Sequence, residues 1–103
     1  MDPLPFYIVI SELKKLLDEV QVDARPSNLE LSSVVWNVCR IQNPDSLLEP
    51  HLVVVSELKK LLEDQENATN PRNPELSRVV WGACWEKIET AQAQQRRLIG
   101  LGD

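Results

Sequence analysis

The sequence has few of the residue types on which small catalytic sites depend. It contains one histidine, two cysteines and three glycines in 103 residues. A single imidazole excludes a histidine pair and any metal site that needs several ring nitrogens. His51 directly follows Pro50 at a predicted helix start, where a surface or capping role is expected. The three glycines, Gly82, Gly100 and Gly102, do not form a glycine-rich loop that could hold a phosphate. We therefore expect no enzyme activity, no cofactor, no metal site and no small-molecule substrate.

Long apolar runs and basic clusters are missing as well. No stretch approaches the roughly 20 apolar residues that span a bilayer, and no basic region precedes the first apolar run as in a secretory signal. The chain has 16 acidic and 11 basic residues, for a net charge of -5. This balance argues against binding to the nucleic-acid backbone and, without myristoylation or a basic patch, against binding to anionic membranes. A soluble intracellular protein is expected.

The two cysteines, Cys39 and Cys84, stand at matching places in the chain. Each follows a Val-Val-Trp segment on a predicted helix. Two cysteines are too few for a disulfide framework, and cysteine is among the most frequently buried residue types. The sequence therefore predicts two buried free thiols.

The most prominent feature that is present is a duplication. Residues 5–41 and 50–86 align at a constant offset of 45 without a gap, with 18 identities in 37 aligned pairs. Both copies contain SELKKLL and LSxVVWxxC. A repeated unit usually buries a face that one unit cannot bury alone. We therefore predict one helical domain over residues 1–103, with internal repeat 1 at 5–41, internal repeat 2 at 50–86 and a C-terminal helical extension at 87–99.

The first helix of each repeat is predicted from a stripe of leucines. Apolar residues recur at the spacing of one helical face: Leu13, Leu16, Leu17 and Val20 in the first copy, and Leu58, Leu61 and Leu62 in the second. Charged residues occupy the other face and are expected in solvent: Glu12, Lys14, Lys15, Asp18 and Glu19. The acidic pair Glu63-Asp64 is expected to be solvent-exposed for the same reason.

The starts of these first helices are open to two interpretations. The β-branched runs at 7–10 and 52–55 favour a short strand, with Ser11 and Ser56 as N-caps of the helices that follow. Pro5 and Pro50 suit a first helical turn and favour helix from there. We predict helix and keep the strand as the alternative.

The second helix of each repeat has clearer boundaries. Asn28 and Asn73 are predicted N-caps, and Pro74 suits the first turn. Asn43-Pro44 ends the helix in the first copy, whereas the second copy continues through the Gln- and Ala-rich residues 91–95 toward Gly100. The fold class is therefore all-α, with four main helices arranged as two tandem helix-loop-helix repeats of about 45 residues and a long C-terminal helix.

The tryptophans are the candidate functional residues. On a helical wheel Trp36 lies about 140° from Leu31, outside the stripe of core valines. Trp81 repeats this position, and Trp85 and Ile88 extend it into a second apolar face. Either these faces pack the two repeats against each other, or part of them binds another chain, since tryptophan is enriched in binding hot spots. The candidate partner interface comprises Trp36, Trp81, Trp85 and Ile88.

Three features follow one another along the first copy: Lys14-Lys15-Leu16, a polar loop and Val35-Trp36. This order resembles the start of lentiviral Gag matrix domains, and 76–87 is similar to that family's Cys-containing helix. The resemblance implies a compact helical domain that helps a viral polyprotein assemble and reach membranes. Two departures put the membrane role in doubt. Asp2 stands where myristoylation needs glycine, and the loop 23–26 replaces a lysine-rich hairpin.

These observations predict a non-enzymatic protein-protein interaction or assembly module, a viral structural or accessory protein. Its partner would be another protein or a second copy of the chain, in the cytoplasm or in a viral particle.

The alternative function is a helix-turn-helix regulatory domain that binds nucleic acid. That alternative needs a helix with outward basic and amide side chains, and neither 28–41 nor 73–90 offers more than one or two.

Overall fold

The computed structural model describes residues 4–100, and side-chain surroundings over 4–97. Asp2 and Gly102, which were named above, lie outside the described residues. Four helices follow one another in the described range, and it contains no strand: α1 (Leu4–Gln21), α2 (Leu29–Gln42), α3 (Pro50–Glu66) and α4 (Pro74–Gly100). The prediction of an all-α fold with four main helices and a long last helix is confirmed.

The two β-branched runs are helical, so the strand alternative is wrong. Ser11 and Ser56 lie inside α1 and α3 and cannot be N-caps. The reason is tertiary packing: Val9 and Val54 are 0% and 1% exposed. Burial of such side chains against neighbouring helices outweighs the small helix propensity penalty of valine and isoleucine. Pro50 occupies the first turn of α3, as predicted.

The predicted N-caps of the second helices are confirmed. The Asn28 side-chain oxygen accepts a hydrogen bond from the Leu31 N–H at 3.1 Å. Asn73 accepts the equivalent bond from the Leu76 N–H, also at 3.1 Å. These bonds satisfy amide groups that have no partner within the helix. At the other end of α2, Asn43 is the C-cap, and the following proline cannot continue the helix.

The core lies between the first pair of helices and the second. Helix α1 packs against α3 and α4, and α2 packs against the same two helices. Within each pair the helices barely touch: α1 makes little contact with α2, and α3 makes little with α4. The largest fully buried apolar side chains come from all four helices: Leu13, Leu31, Leu58, Leu61, Leu76 and Ile88. Neither pair of helices therefore has a core of its own.

The loops after α1 and α3 differ in sequence and share one backbone geometry. Asp23 and Ala68 have positive φ angles of 56° and 53°. The N–H of the next residue in each loop bonds a helix carbonyl five positions earlier, at 2.9 and 3.0 Å. This arrangement is the Schellman motif, in which a left-handed residue closes the helix C-terminus.

Replacing Ala68 with glycine is expected to stabilise the protein. An L-residue with a side chain is strained in the left-handed region, and glycine is not, so the free energy of unfolding should rise by about 1 kcal/mol. Asp23→Gly is the matched control and should gain less, because aspartate tolerates this conformation better than alanine does. Urea denaturation of both variants measures the difference. A lower midpoint for Ala68→Gly would contradict the assignment.

Candidate interaction surface

The structure distributes the four predicted interface residues over three environments. Ile88 is 0% exposed and belongs to the core. Trp36 and Trp81 are partly buried and pack against the core. Trp85 is 51% exposed. The second apolar face of α4 is thus divided: Ile88 and most of Trp81 hold the helices together, and Trp85 faces outward.

Trp85 is a large apolar side chain on the surface of α4. Its indole N–H donates a hydrogen bond to the Glu89 carboxylate, one helical turn further on. Glu86 and Glu89 are exposed beside it. The indole therefore lies along an acidic stretch of the helix, with its polar atom already paired and about half of its surface in contact with solvent.

Trp36 lies between two surface grooves. We call the more apolar one the α2–α3 groove; its volume is about 400 Å³. It is lined by α2, the linker and the start of α3: Trp36, Asn37, Cys39, Arg40, Asn43, Pro44, Ser46, Leu48, Pro50, Val53 and Val54. On its other side Trp36 borders a more polar groove with Glu19, Asp23 and His51.

The linker between α2 and α3 adds apolar surface that the hydrophobic periodicity of the helices does not indicate. Leu47 is fully exposed and Leu48 is 59% exposed, and Leu52 at the start of α3 is 45% exposed. Adjacent exposed leucines in a short linker are a recognisable sequence signal, and exposed apolar patches of this kind mark interaction sites. Leu48 also lines the α2–α3 groove.

Glu12 was expected in solvent, and that expectation is wrong. Its side chain is buried, with the residue 5% exposed. One carboxylate oxygen lies 2.9 Å from Lys87 Nζ on α4, and the other accepts a long bond of 3.5 Å from the Asn28 side chain. Helix α4 covers this side of α1 and supplies the cation that a buried carboxylate requires.

A related cluster surrounds Glu57 on α3. Asn73 donates to its carboxylate at 3.2 Å and exchanges side-chain hydrogen bonds with Gln42 of α2. Gln42 also donates to Glu75 at 3.0 Å. In both copies a glutamate is followed 16 positions later by an asparagine. This shared spacing is a sequence signal for the two clusters, and the amphipathic pattern of each helix does not reveal it.

Asp64 was also expected in solvent and is buried, with 6% exposure. Its carboxylate accepts the Arg72 backbone N–H at 2.9 Å and the Arg72 Nε–H at 3.0 Å. In the first loop Glu19 accepts the Ser27 backbone N–H at 3.0 Å. Each acid fixes the loop that follows its helix, so these two carboxylates have a structural role.

The two thiols are free and buried, as predicted. Burial raises the pKa of Cys39 from 9.0 to about 11, and the Glu57 carboxylate adds to the effect. The pKa of Cys84 is likewise raised to about 11. Burial is the main cause; the Glu12 carboxylate also raises this pKa, and the Lys87 ammonium lowers it. Since the thiolate is the nucleophilic form, neither cysteine is suited to nucleophilic catalysis near neutral pH.

The described residues contain no group of three or more metal-ligating side chains. His51 is exposed, and its Nδ1 lies 4.0 Å from the Glu49 carboxylate. It has no second imidazole or thiol beside it with which to build a site. What the arrangement offers is apolar surface at Trp85 and at the α2–α3 groove.

No protein-family model matches the chain, and no curated protein or solved structure shows significant similarity to it. In the described part of the chain, no helix combines the length and the hydropathy needed to cross a bilayer.

Proposed function

We propose that the chain is a non-enzymatic protein-protein interaction or assembly module made of two similar halves, and that Trp85 is the centre of its binding surface. The first half comprises α1 and α2, and the second comprises α3 and α4. In this proposal the repeated residues form the scaffold. The residues in which the copies differ supply the interaction.

Contacts that recur at an offset of 45 residues support the two-half organisation. The N-cap bonds of Asn28 and Asn73 match, and both asparagines donate to a glutamate on the preceding helix. The left-handed residues match too. Glu12 affects the pKa of Cys84, and Glu57 affects that of Cys39, so each glutamate faces the cysteine of the other half. This reciprocal pattern is typical of an approximate twofold relation between halves.

The exposure of Trp85 is the observation that supports the binding role. Tryptophan offers a large apolar contact area, and it is enriched among the residues that contribute most to binding at interfaces. Its counterpart at the same offset in the first half is Arg40, so the scaffold does not require an aromatic side chain there. An assembly role is also what the resemblance to lentiviral matrix domains implies.

Trp85→Ala is expected to weaken association about tenfold, which corresponds to about 1.4 kcal/mol. Sedimentation equilibrium of the full chain from micromolar to millimolar concentration measures self-association. The free energy of unfolding should change by less than about 0.5 kcal/mol, because the side chain is exposed.

Trp81→Ala is the matched control. It should lower the free energy of unfolding, since Trp81 packs against the core. If the wild-type chain stays monomeric at the highest concentration and both substitutions only destabilise the fold, the Trp85 surface is excluded as a self-association site.

A further inference from the structure

The α2–α3 groove arises from one difference between the halves. Helix α2 ends at Gln42, whereas α4 continues past the matching Lys87 to Gly100. The next residue of α4 is Ile88, which is 0% exposed. The matching residue of the first half is Asn43, whose side chain caps the Cys39 carbonyl at 3.0 Å. The first half thus lacks the helical turn with which the second half completes its packing.

The consequence is visible in how the helices pair. Helices α1 and α4 make more extensive contact than α2 and α3. Lys87 and Ala91 of α4 lie beside Ile8 of α1 at one shallow depression. The residue of α3 that matches Ile8 is Val53, and Val53 lines the open groove. Helix α4 therefore continues past Ile8 of α1, whereas α2 ends at the groove that Val53 lines, and Val53 itself is 8% exposed.

The groove has the chemistry of a site for an apolar segment that carries a negative charge. Trp36, Leu48 and Val53 line it with apolar surface, and Arg40 is the one charged residue among its described lining. Arg40 donates to the Asn37 side chain at 3.3 Å and forms no ion pair within the described part of the chain. In a chain with a net charge of -5, a guanidinium without a carboxylate partner favours an acidic ligand.

We propose that the α2–α3 groove binds a short amphipathic helix of a partner protein. An aliphatic side chain of that helix lies between Trp36 and Val53, and a carboxylate of the same helix pairs with Arg40. Helices commonly bind in this way, with one apolar face in a groove. The proposal rests on the two-half organisation above and is independent of the Trp85 surface.

The test uses the full chain labelled with ¹⁵N and an acetylated, amidated peptide of its own residues 86–95, which contains Ile88 and Glu89 and has two acidic side chains against one basic one. On titration, the indole N–H signal of Trp36 and the backbone N–H signal of Arg40 are expected to shift. The indole signals of Trp81 and Trp85 are expected to stay in place. A peptide with I88D should bind about tenfold more weakly, because a charged side chain replaces the aliphatic anchor.

Two protein variants test the charge. Arg40→Glu should weaken peptide binding at least about fivefold, since it replaces attraction by repulsion. Arg78→Glu is the matched control, an exposed arginine on α4 outside the groove lining, and should change the affinity less than about twofold.

Any of three results would overturn the proposal. The Trp36 indole signal does not shift at millimolar peptide, the shifts are centred on Trp85, or Arg40→Glu and Arg78→Glu change the peptide affinity equally. A Trp36 shift that depends on protein concentration without peptide would identify a second copy of the chain as the occupant. The titration follows the Trp36 signal, and the Trp85 surface is tested by comparing the sedimentation of the wild-type chain with that of Trp85→Ala. Either proposal can therefore fail without the other.

Discussion

Replacing Asp64 with alanine is expected to lower the free energy of unfolding by about 2 to 3 kcal/mol, which is a large part of the stability of a small domain. The carboxylate is buried and accepts bonds from both the backbone N–H and the Nε–H of Arg72. Without it, the loop between α3 and α4 loses the group that holds it, and a partly buried amide loses its partner. Urea denaturation followed by circular dichroism measures the change.

Glu63 offers a matched control one residue away. Its side chain is 68% exposed and lies 3.5 Å from the same arginine. A surface ion pair of this kind contributes little, so Glu63→Ala should change the free energy of unfolding by less than about 0.5 kcal/mol. If the two substitutions lowered the free energy of unfolding equally, Arg72 would respond to any nearby negative charge rather than to the bonds of the buried carboxylate. The structural role given to Asp64 would then be wrong.

Neither half of the chain is expected to fold alone as a monomer. A fragment of residues 1–46 and a fragment of residues 47–103 should each lack a cooperative thermal transition, and an equimolar mixture should regain it. The reason is that the two helices of each fragment barely touch, and the core forms between the pairs. Isolated helices of this length are marginal in water without a partner that covers their apolar face.

The control for the fragments is the intact chain with a protease site inserted between Ser46 and Leu47, both of which are exposed. After cleavage the two pieces should stay associated and elute together in size-exclusion chromatography. A fragment that folds only as a dimer agrees with the same packing, because a second copy then takes the place of the missing half. A monomeric fragment with a cooperative transition would contradict it.

The sequence allowed the helices to be predicted because their signals are local. The leucine stripe, the N-cap asparagines and Pro44 each act within a few residues of the chain. The starts of α1 and α3 remained open, since β-branched residues favour strands locally. Burial of Val9 and Val54 against other helices decided in favour of helix.

The sequence predicted the candidate site less completely than the helices, because the exposure of a side chain depends on the neighbouring helices. A helical wheel places Trp81, Trp85 and Ile88 on one broad face, and it does not indicate how far the neighbouring helix covers that face. The structure leaves Trp85 half exposed and buries Ile88. The α2–α3 groove was not predicted, because it depends on how α2 ends against α3 and the linker.

The sequence by itself determined four helices, two buried thiols and a duplicated pattern, because hydrophobic period, capping residues and internal identity are properties of short segments. Only the tertiary structure decided which charged residues are buried and which apolar ones are exposed. Glu12 and Asp64 lie on faces that look polar along their own helices, and they are buried because Lys87 and Arg72 reach them from elsewhere in the chain. The environment of a side chain depends on what packs over it, and that is settled by residues outside its own helix.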